Sequence, residues 1–243
     1  MTPDYILILL IIAVLSVVQS LFGMGVLVFG TPTLLLLGYD FTTTLGYLLP
    51  ASFAVSLLQV VMAGADRPKI SRYLYVLSVP GIGVGLWLAQ NTVLASKTNI
   101  LIGLALLFSA AIRCSPKSRR MIRVLLAEQF PAYHAAMGLL HGLTNLGGAL
   151  LAVLASETAH DKNAIRYTVA HYYLAFSTAQ MLFLGFVMGY GDLFINNLMG
   201  AVVSVVVYLL IGVRVFSRTS PQVFQHALTL FIALYGIVVL FKY

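Results

Sequence analysis

Two short segments, half a chain apart, place glycines beside hydrogen-bonding side chains within otherwise apolar sequence. The first holds Gln19, Ser20, Gly23, Met24 and Gly25; the second holds His141, Thr144, Asn145, Gly147 and Gly148. Gln19, Ser20, Thr144 and Asn145 can donate hydrogen bonds, and His141 precedes Asn145 by four residues, on the same helical face. Glycine lets a ligand touch the backbone, because no side chain intervenes. A helix that begins inside a membrane presents unpaired N–H groups and the positive end of its dipole, and an anion is the natural partner of that end. These ten residues are therefore the expected binding site for a small anionic substrate. His171, in the sixth apolar run, joins them as a further candidate, and Ser52, Ser56, Ser177 and Gln180 are polar positions on adjoining helices.

What is missing sharpens that chemistry. All seven acidic residues (Asp4, Asp40, Asp66, Glu128, Glu157, Asp161 and Asp192) fall at the ends of apolar runs or in loops. Cation sites and many proton relays depend on buried carboxylates, so the pattern disfavours cation transport. Proton coupling would fall to His141 or His171, since histidine titrates near neutral pH. A membrane enzyme would need clustered carboxylates or histidines at metal-ligand spacing; neither is present, so no enzyme activity, no metal and no cofactor are expected. Cys114 is the single cysteine, which excludes an internal disulfide; it reads as a chance residue of a basic loop. The competing reading of His141 and His171 is packing. His134 and His226 read as interfacial, Tyr47 and the Tyr172–Tyr173 pair as packing or interface residues, and Arg166 either as a topology charge or as a lure for anions at the cytoplasmic mouth.

The elements that must position these residues are membrane helices. Of 243 residues, 60% are hydrophobic and 9% charged, against roughly 25% charged in a soluble domain. Too few polar groups remain to cover a water-facing surface, so the bilayer is the expected partner. The net charge of +7 sits in short loops and orients the chain; a nucleic-acid partner would need a folded basic face. The apolar runs are 5–37, 41–65, 73–96, 98–112, 131–156, 167–191, 193–213 and 220–241. Six of them, with the flanks of 98–112, approach the roughly 20 residues of a spanning helix. The runs 5–37 and 131–156 carry the glycine-rich segments, and with Pro32 and Pro131 nearby they are expected to break inside the membrane. Broken backbone at that depth is tolerated only where protein buries it or it lines a watery cavity; close packing of helices on glycine is the competing account. The N-terminus lacks a basic n-region and a small-residue cleavage site, so no signal peptide is read.

The breaks also define a repeat. Gly25 and Gly147 lie 122 residues apart, and the same shift sets Gln19 against His141 and Thr44 against Arg166. The expected division is an N-terminal repeat over 1–112, a basic cytoplasmic linker over 113–130 and a C-terminal repeat over 131–243. Interrupted helices at matching places of two repeats point to a transporter's binding site. Two layouts compete. Eight single crossings put nine Lys and Arg on the side of the N-terminus and five (Lys97, Lys162, Arg166, Arg214, Arg218) on the other. Re-entrant hairpins at the two broken runs leave only Lys97 and Lys242 on the side of both termini and gather the remaining twelve opposite. Basic loops stay cytoplasmic, so the second layout is favoured. The halves become inverted copies, both termini lie on the non-cytoplasmic side, and the arms 131–143 and 148–156, roughly 20 Å and 14 Å long, stop near the bilayer midplane with their tips facing each other.

The stretch Ser20-Leu-Phe-Gly-Met-Gly-Val-Leu-Val-Phe-Gly-Thr-Pro32-Thr-Leu34, followed by Gly38, resembles the TauE/SafE family of sulfite exporters, and Asn145-Leu-Gly-Gly148 looks like its second glycine motif. The second half has no proline matching Pro32, and each break keeps only two glycines. The resemblance implies an all-α, multi-pass transporter of the cell (inner) membrane. It also implies a sulfur-containing oxyanion such as sulfite, thiosulfate or an organosulfonate, exported by alternating access. An anion channel, or an assembly subunit without transport whose hairpin tips simply pack, are the alternatives. A homo-oligomer is compatible with the reading.

Overall fold

The computed structural model describes residues 3–64, 67–89, 129–159 and 161–220, with isolated residues between 117 and 128 and between 222 and 237. The apolar run 98–112, Cys114 and most of the basic linker lie outside the described residues. Within them the chain is helical throughout. The elements are α1 (Pro3–Phe22), α2 (Val26–Leu36), α3 (Phe41–Val61), α4 (Leu74–Ala89, opening with a π turn), α5 (Phe130–Thr144), α6 (Gly147–Thr158), α7 (Lys162–Leu182, extended by a π turn over Phe183–Val187), α8 (Gly191–Asn196) and α9 (Leu198–Arg218, with a π turn at Tyr208–Gly212).

Polarity is distributed as lipid demands. Leu10, Val14, Trp87, Ile195 and Leu210 are exposed, and Phe186 reaches 86%, whereas Gln19, Ser52, Ser56, His141, Asn145 and Gln180 are fully enclosed. A surface of this kind is stable only against hydrocarbon, and polar side chains in such a protein face the bundle interior. Three helices among the described residues are long and apolar enough to cross a membrane: Asp4–Phe22, Phe41–Val61 and Leu198–Arg218. Of the six spanning runs expected, 98–112 and most of 220–241 lie outside the described residues and 73–96 is described only as far as Ala89; α7 has 21 residues but starts earlier than its apolar run. It begins at Lys162, so Arg166 sits in its second turn instead of opening it.

Both interruptions fall where glycine clusters. α1 ends at Phe22 and α2 begins at Val26; α5 ends at Thr144 and α6 begins at Gly147. Proline is not the cause. Pro32 lies inside α2, where it removes one helical donor, and Pro131 opens α5, where its missing N–H costs nothing. At each break the chain folds back. A Cβ on Gly25 would lie 2.8 Å from Leu15 O and from Gln19 Cα, and one on Gly147 would lie 2.7 Å from Met137 O and 2.6 Å from His141 Cβ. The contacted residues stand six and ten positions upstream in both cases. Beyond the breaks, α3 and α7 each have 21 residues and each is N-capped by an aspartate. Asp40 accepts from Thr43 N at 2.9 Å, and Asp161 from Asn163 N and Ala164 N at 2.9 Å. These caps are 121 residues apart (161 less 40), one fewer than the 122 that separate Gly25 and Gly147.

The glycines of α4 and α5 have a different task. Gly81 and Gly85 face Gly138 and Gly142, so closely that a Cβ on Gly142 would lie 2.8 Å from Gly85 Cα and collide with Ile82 O, and one on Gly138 would collide with Ser78 O. This is small-residue packing of membrane helices, locked by Ser78 Oγ donating to His134 O at 2.8 Å. Close packing on glycine thus governs this pair of helices, and Gly23 and Gly148 at the breaks also lie against neighbouring helices.

The Arg67 guanidinium lies 5.9 Å from the Tyr167 ring, and Lys162 Nζ donates to Phe216 O at 3.1 Å and Thr219 O at 2.7 Å. The end of α3, the start of α7 and the end of α9 therefore lie together.

Four outcomes follow. Gly142→Leu should destabilise the detergent-solubilised protein by about 2 kcal/mol or more through overpacking, read as a drop of several degrees in melting temperature. Gly191→Ala, where an added Cβ meets open space, should stay within about 0.5 kcal/mol. Asp161→Ala should cost about 1 kcal/mol as a lost cap. For Asp40, burial raises the carboxyl pKa, but hydrogen bonds from Thr43 outweigh it and hold the net value below the usual range. Its contribution is therefore present at neutral pH and is lost as pH falls through that lowered pKa, an acid-side decline that Asp40→Asn should flatten in a melting-temperature series.

Candidate functional site

At the first break Gly23 adopts φ 76°, and a Cβ there would lie 2.8 Å from Arg166 O and 3.0 Å from Val169 Cβ. Only glycine allows the tip to rest on α7 so closely. Met24 beside it is fully buried. Gln19 organises the break. Its Oε1 accepts from Val26 N at 3.0 Å, while its Nε2 donates to Ser52 O at 3.0 Å and Ser56 Oγ at 3.1 Å. Gln59 Nε2 donates to Gln19 O at 2.9 Å. The amide of Gln19 is thus engaged at both ends, and one N–H that sequence left bare at the start of α2 is capped by the protein itself. Ser20 Oγ turns away from the break and donates to Ser16 O at 2.6 Å within α1.

The second break is built differently. Asn145 is the one non-glycine residue with positive φ among those described (62°, left-handed), a conformation asparagine tolerates better than most side chains. Its N–H bonds His141 O at 2.7 Å, and Thr144 Oγ1 accepts from Leu146 N at 3.2 Å. Asn145 Nδ2 reaches across to Thr31 Oγ1 of α2 at 2.6 Å. A Cβ on Gly148 would lie 2.7 Å from Val28 Cγ2 of α2 and would coincide with the Tyr173 hydroxyl. The returning arm of the first hairpin therefore passes alongside the second break. His141, the counterpart of Gln19, caps nothing. Its Nε2 pairs with Gln180 Oε1 at 3.2 Å, and its ring packs edge-on to Tyr173 and 4.5 Å from Phe176.

Four fully buried atoms around this break have no hydrogen-bond partner among the described residues: His141 Nδ1, Asn145 Oδ1, Tyr173 Oη and Gln180 Nε2. Each such group costs about 1–3 kcal/mol when enclosed unpaired. Their concentration in one place marks a cradle for something polar.

Gly23 of the first tip rests on Arg166 to Ala170 of α7, Gly148 of the second meets the Tyr173 hydroxyl of the same helix, and His141, upstream of that tip, meets Gln180 nearer its far end. His171 is brought to neither break: its Nε2 lies 2.7 Å from Tyr75 Oη and its ring 5.7 Å from Tyr167. His134, read as interfacial, is fully buried and pairs with Tyr172 Oη at 2.8 Å and Phe130 O at 2.9 Å.

A cavity of about 280 Å³ opens beside the first break, lined by Gln59, Met62, Ala63, Gly64, Asn163, Arg166 and Tyr167. Arg166 lies with its guanidinium 3.5 Å from the Phe216 ring centroid and reaches Ser20 O at 3.5 Å; no carboxylate pairs with it among the described residues. Its base is Gln59, the residue that holds Gln19.

Gln59 and Thr31 were not singled out from sequence, and Tyr173 was read as a packing or interface residue. At a spacing of 121, Ser52, Ser56 and Gln59 fall against Tyr173, Ser177 and Gln180; the first three pack on Gln19, while Tyr173 and Gln180 pack on His141.

The description Sulfite exporter TauE/SafE matches residues 8–239, nearly the whole chain. No curated protein and no solved structure matches it. An all-helical chain with a lipid-facing exterior, a polar interior at two glycine breaks and this match over almost its full length belongs to the Sulfite exporter TauE/SafE family of membrane transporters.

Proposed function

We propose that the chain exports a small sulfur-containing oxyanion (sulfite, thiosulfate or an organosulfonate) across the inner membrane by alternating access, working as two inverted halves. The observation that carries this reading is the group of four buried, unpartnered polar atoms at the second break. A subunit that only packs would have no reason to retain them at about 1–3 kcal/mol each. The inverted arrangement is supported by matching fold-back contacts at Gly25 and Gly147, by paired aspartate caps 121 residues apart, and by the basic loops lying together. With those loops cytoplasmic, both termini lie outside.

In this scheme Arg166 draws anions into the cavity beside the first break, since a charge without a carboxylate partner raises the local anion concentration. The anion is then held against α2 and the second break, where Tyr173, Gln180 and the first turn of α6 supply donors and Asn145 and His141 orient it. Both breaks are fully buried, which fits an occluded carrier better than an open channel. Export of a negative charge from a cell negative inside is downhill by about 2.3 kcal/mol per 100 mV, so the electrical gradient alone can drive it.

Uptake of labelled sulfite into proteoliposomes tests the reading. Tyr173→Phe removes a hydroxyl that bonds nothing in the protein, so its melting temperature should stay within about 2 °C while flux falls roughly tenfold, the worth of one buried hydrogen bond to a charged group. Unchanged flux would take Tyr173 out of the site. Asn145→Leu should lose both flux and stability, because leucine resists positive φ and abandons Thr31.

A further inference from the structure

The unpaired atoms at the second break specify more than an anion, because they are of two kinds. His141 Nε2 faces Gln180 Oε1 at 3.2 Å. A carbonyl oxygen can only accept, so Nε2 carries the proton and the orphaned Nδ1 of the neutral ring is an acceptor. The orphaned Gln180 Nε2 is a donor. Exchanging the two ends of the Gln180 amide together with the histidine tautomer turns the acceptor into a donor and the donor into an acceptor, so the pair offers one of each either way. Asn145 offers Oδ1 as a second acceptor while Nδ2 donates to Thr31 Oγ1, or a donor when its amide is turned and the Thr31 hydroxyl donates, and Tyr173 Oη can donate. A fully deprotonated oxyanion presents acceptors only. It would satisfy Gln180 and Tyr173 and leave a lone pair on His141, and on Asn145 while Nδ2 faces Thr31, pointed at its negative oxygens.

Charge argues the same way. α2, α5 and α6, which bring Thr31, His141, Asn145 and Gly148 together, contain no lysine or arginine, and Arg166 lies at the other end of α7. The cost of enclosing an ion in a low-dielectric site rises with the square of its charge, and nothing in these three helices neutralises a second charge.

Building on the proposed transport role, we infer that this site selects the singly charged, proton-bearing form of its oxyanion, an O–H monoanion such as hydrogensulfite, over the dianion. The oxygens of the anion accept from Gln180 Nε2 and Tyr173 Oη, and its O–H donates to Asn145 Oδ1 or His141 Nδ1. No proton need change hands with the protein: each monoanion moved carries one charge and one proton with it.

Two anions of near-identical shape separate the possibilities at a fixed, mildly acidic pH: methanesulfonate, a monoanion without an O–H, and methylphosphonate in its singly ionised form, which has one. Each is tested as a competitor of labelled sulfite uptake by the full-length protein in proteoliposomes. The expected result is roughly tenfold stronger competition by methylphosphonate, the worth of one additional buried hydrogen bond. In His141→Phe and, separately, in Asn145→Ser the ratio of the two competition constants should fall towards one at whatever sulfite flux remains; two variants guard against one that misfolds. Equal competition, preference for methanesulfonate, or no competition by either while sulfite still moves would overturn the selection for an O–H monoanion and leave the transport reading intact. Absence of sulfite flux in the wild type would overturn the transport reading and this inference with it.

Discussion

A backbone N–H or C=O that leaves a helix inside hydrocarbon must find its partner within the protein. This fold interrupts two helices at membrane depth, and the arrangement of its interior follows from that demand. Gln19 reaches forward to cap Val26 and is held in turn by Ser52, Ser56 and Gln59; Thr144 caps Leu146, and Asn145 closes α5 through its own N–H. Polar side chains are therefore concentrated on the inner faces of α3 and α7, and the outer faces are left to leucine, valine and phenylalanine.

The two breaks meet the demand unequally. The first has a carboxamide oxygen seated on Val26 N–H and leaves one buried atom beside it, Gln59 Oε1, without a partner. The second leaves four polar atoms waiting. Equivalent positions in the two halves have taken different residues, glutamine against histidine at 19 and 141, serine against tyrosine at 52 and 173, and so different duties.

Much of this was legible in the chain. Glycine clusters in charge-free runs locate the breaks because glycine is costly inside a helix and cheap at a close approach, and carboxylates kept to run ends foretell a site built on neutral donors. Depth was not legible. Whether a tip stops at the midplane depends on how far α1 extends, and an apolar run does not reveal where its helix begins. The burial of His134 was hidden for a related reason: its place near a run end says nothing of Phe130, Tyr73 and Tyr172 closing around it. The glycines of α4 and α5 were visible as Gly81, Gly85, Gly138 and Gly142, but their meaning lies in two helices that only the fold sets against one another.

α7 touches both interruptions. Gly23 leans on its first half, and His141 grips Gln180 near its last turn. A helix of 21 residues is stiff over that span. A displacement of this helix at one hairpin is carried along its length to the other, so the two contacts are mechanically joined.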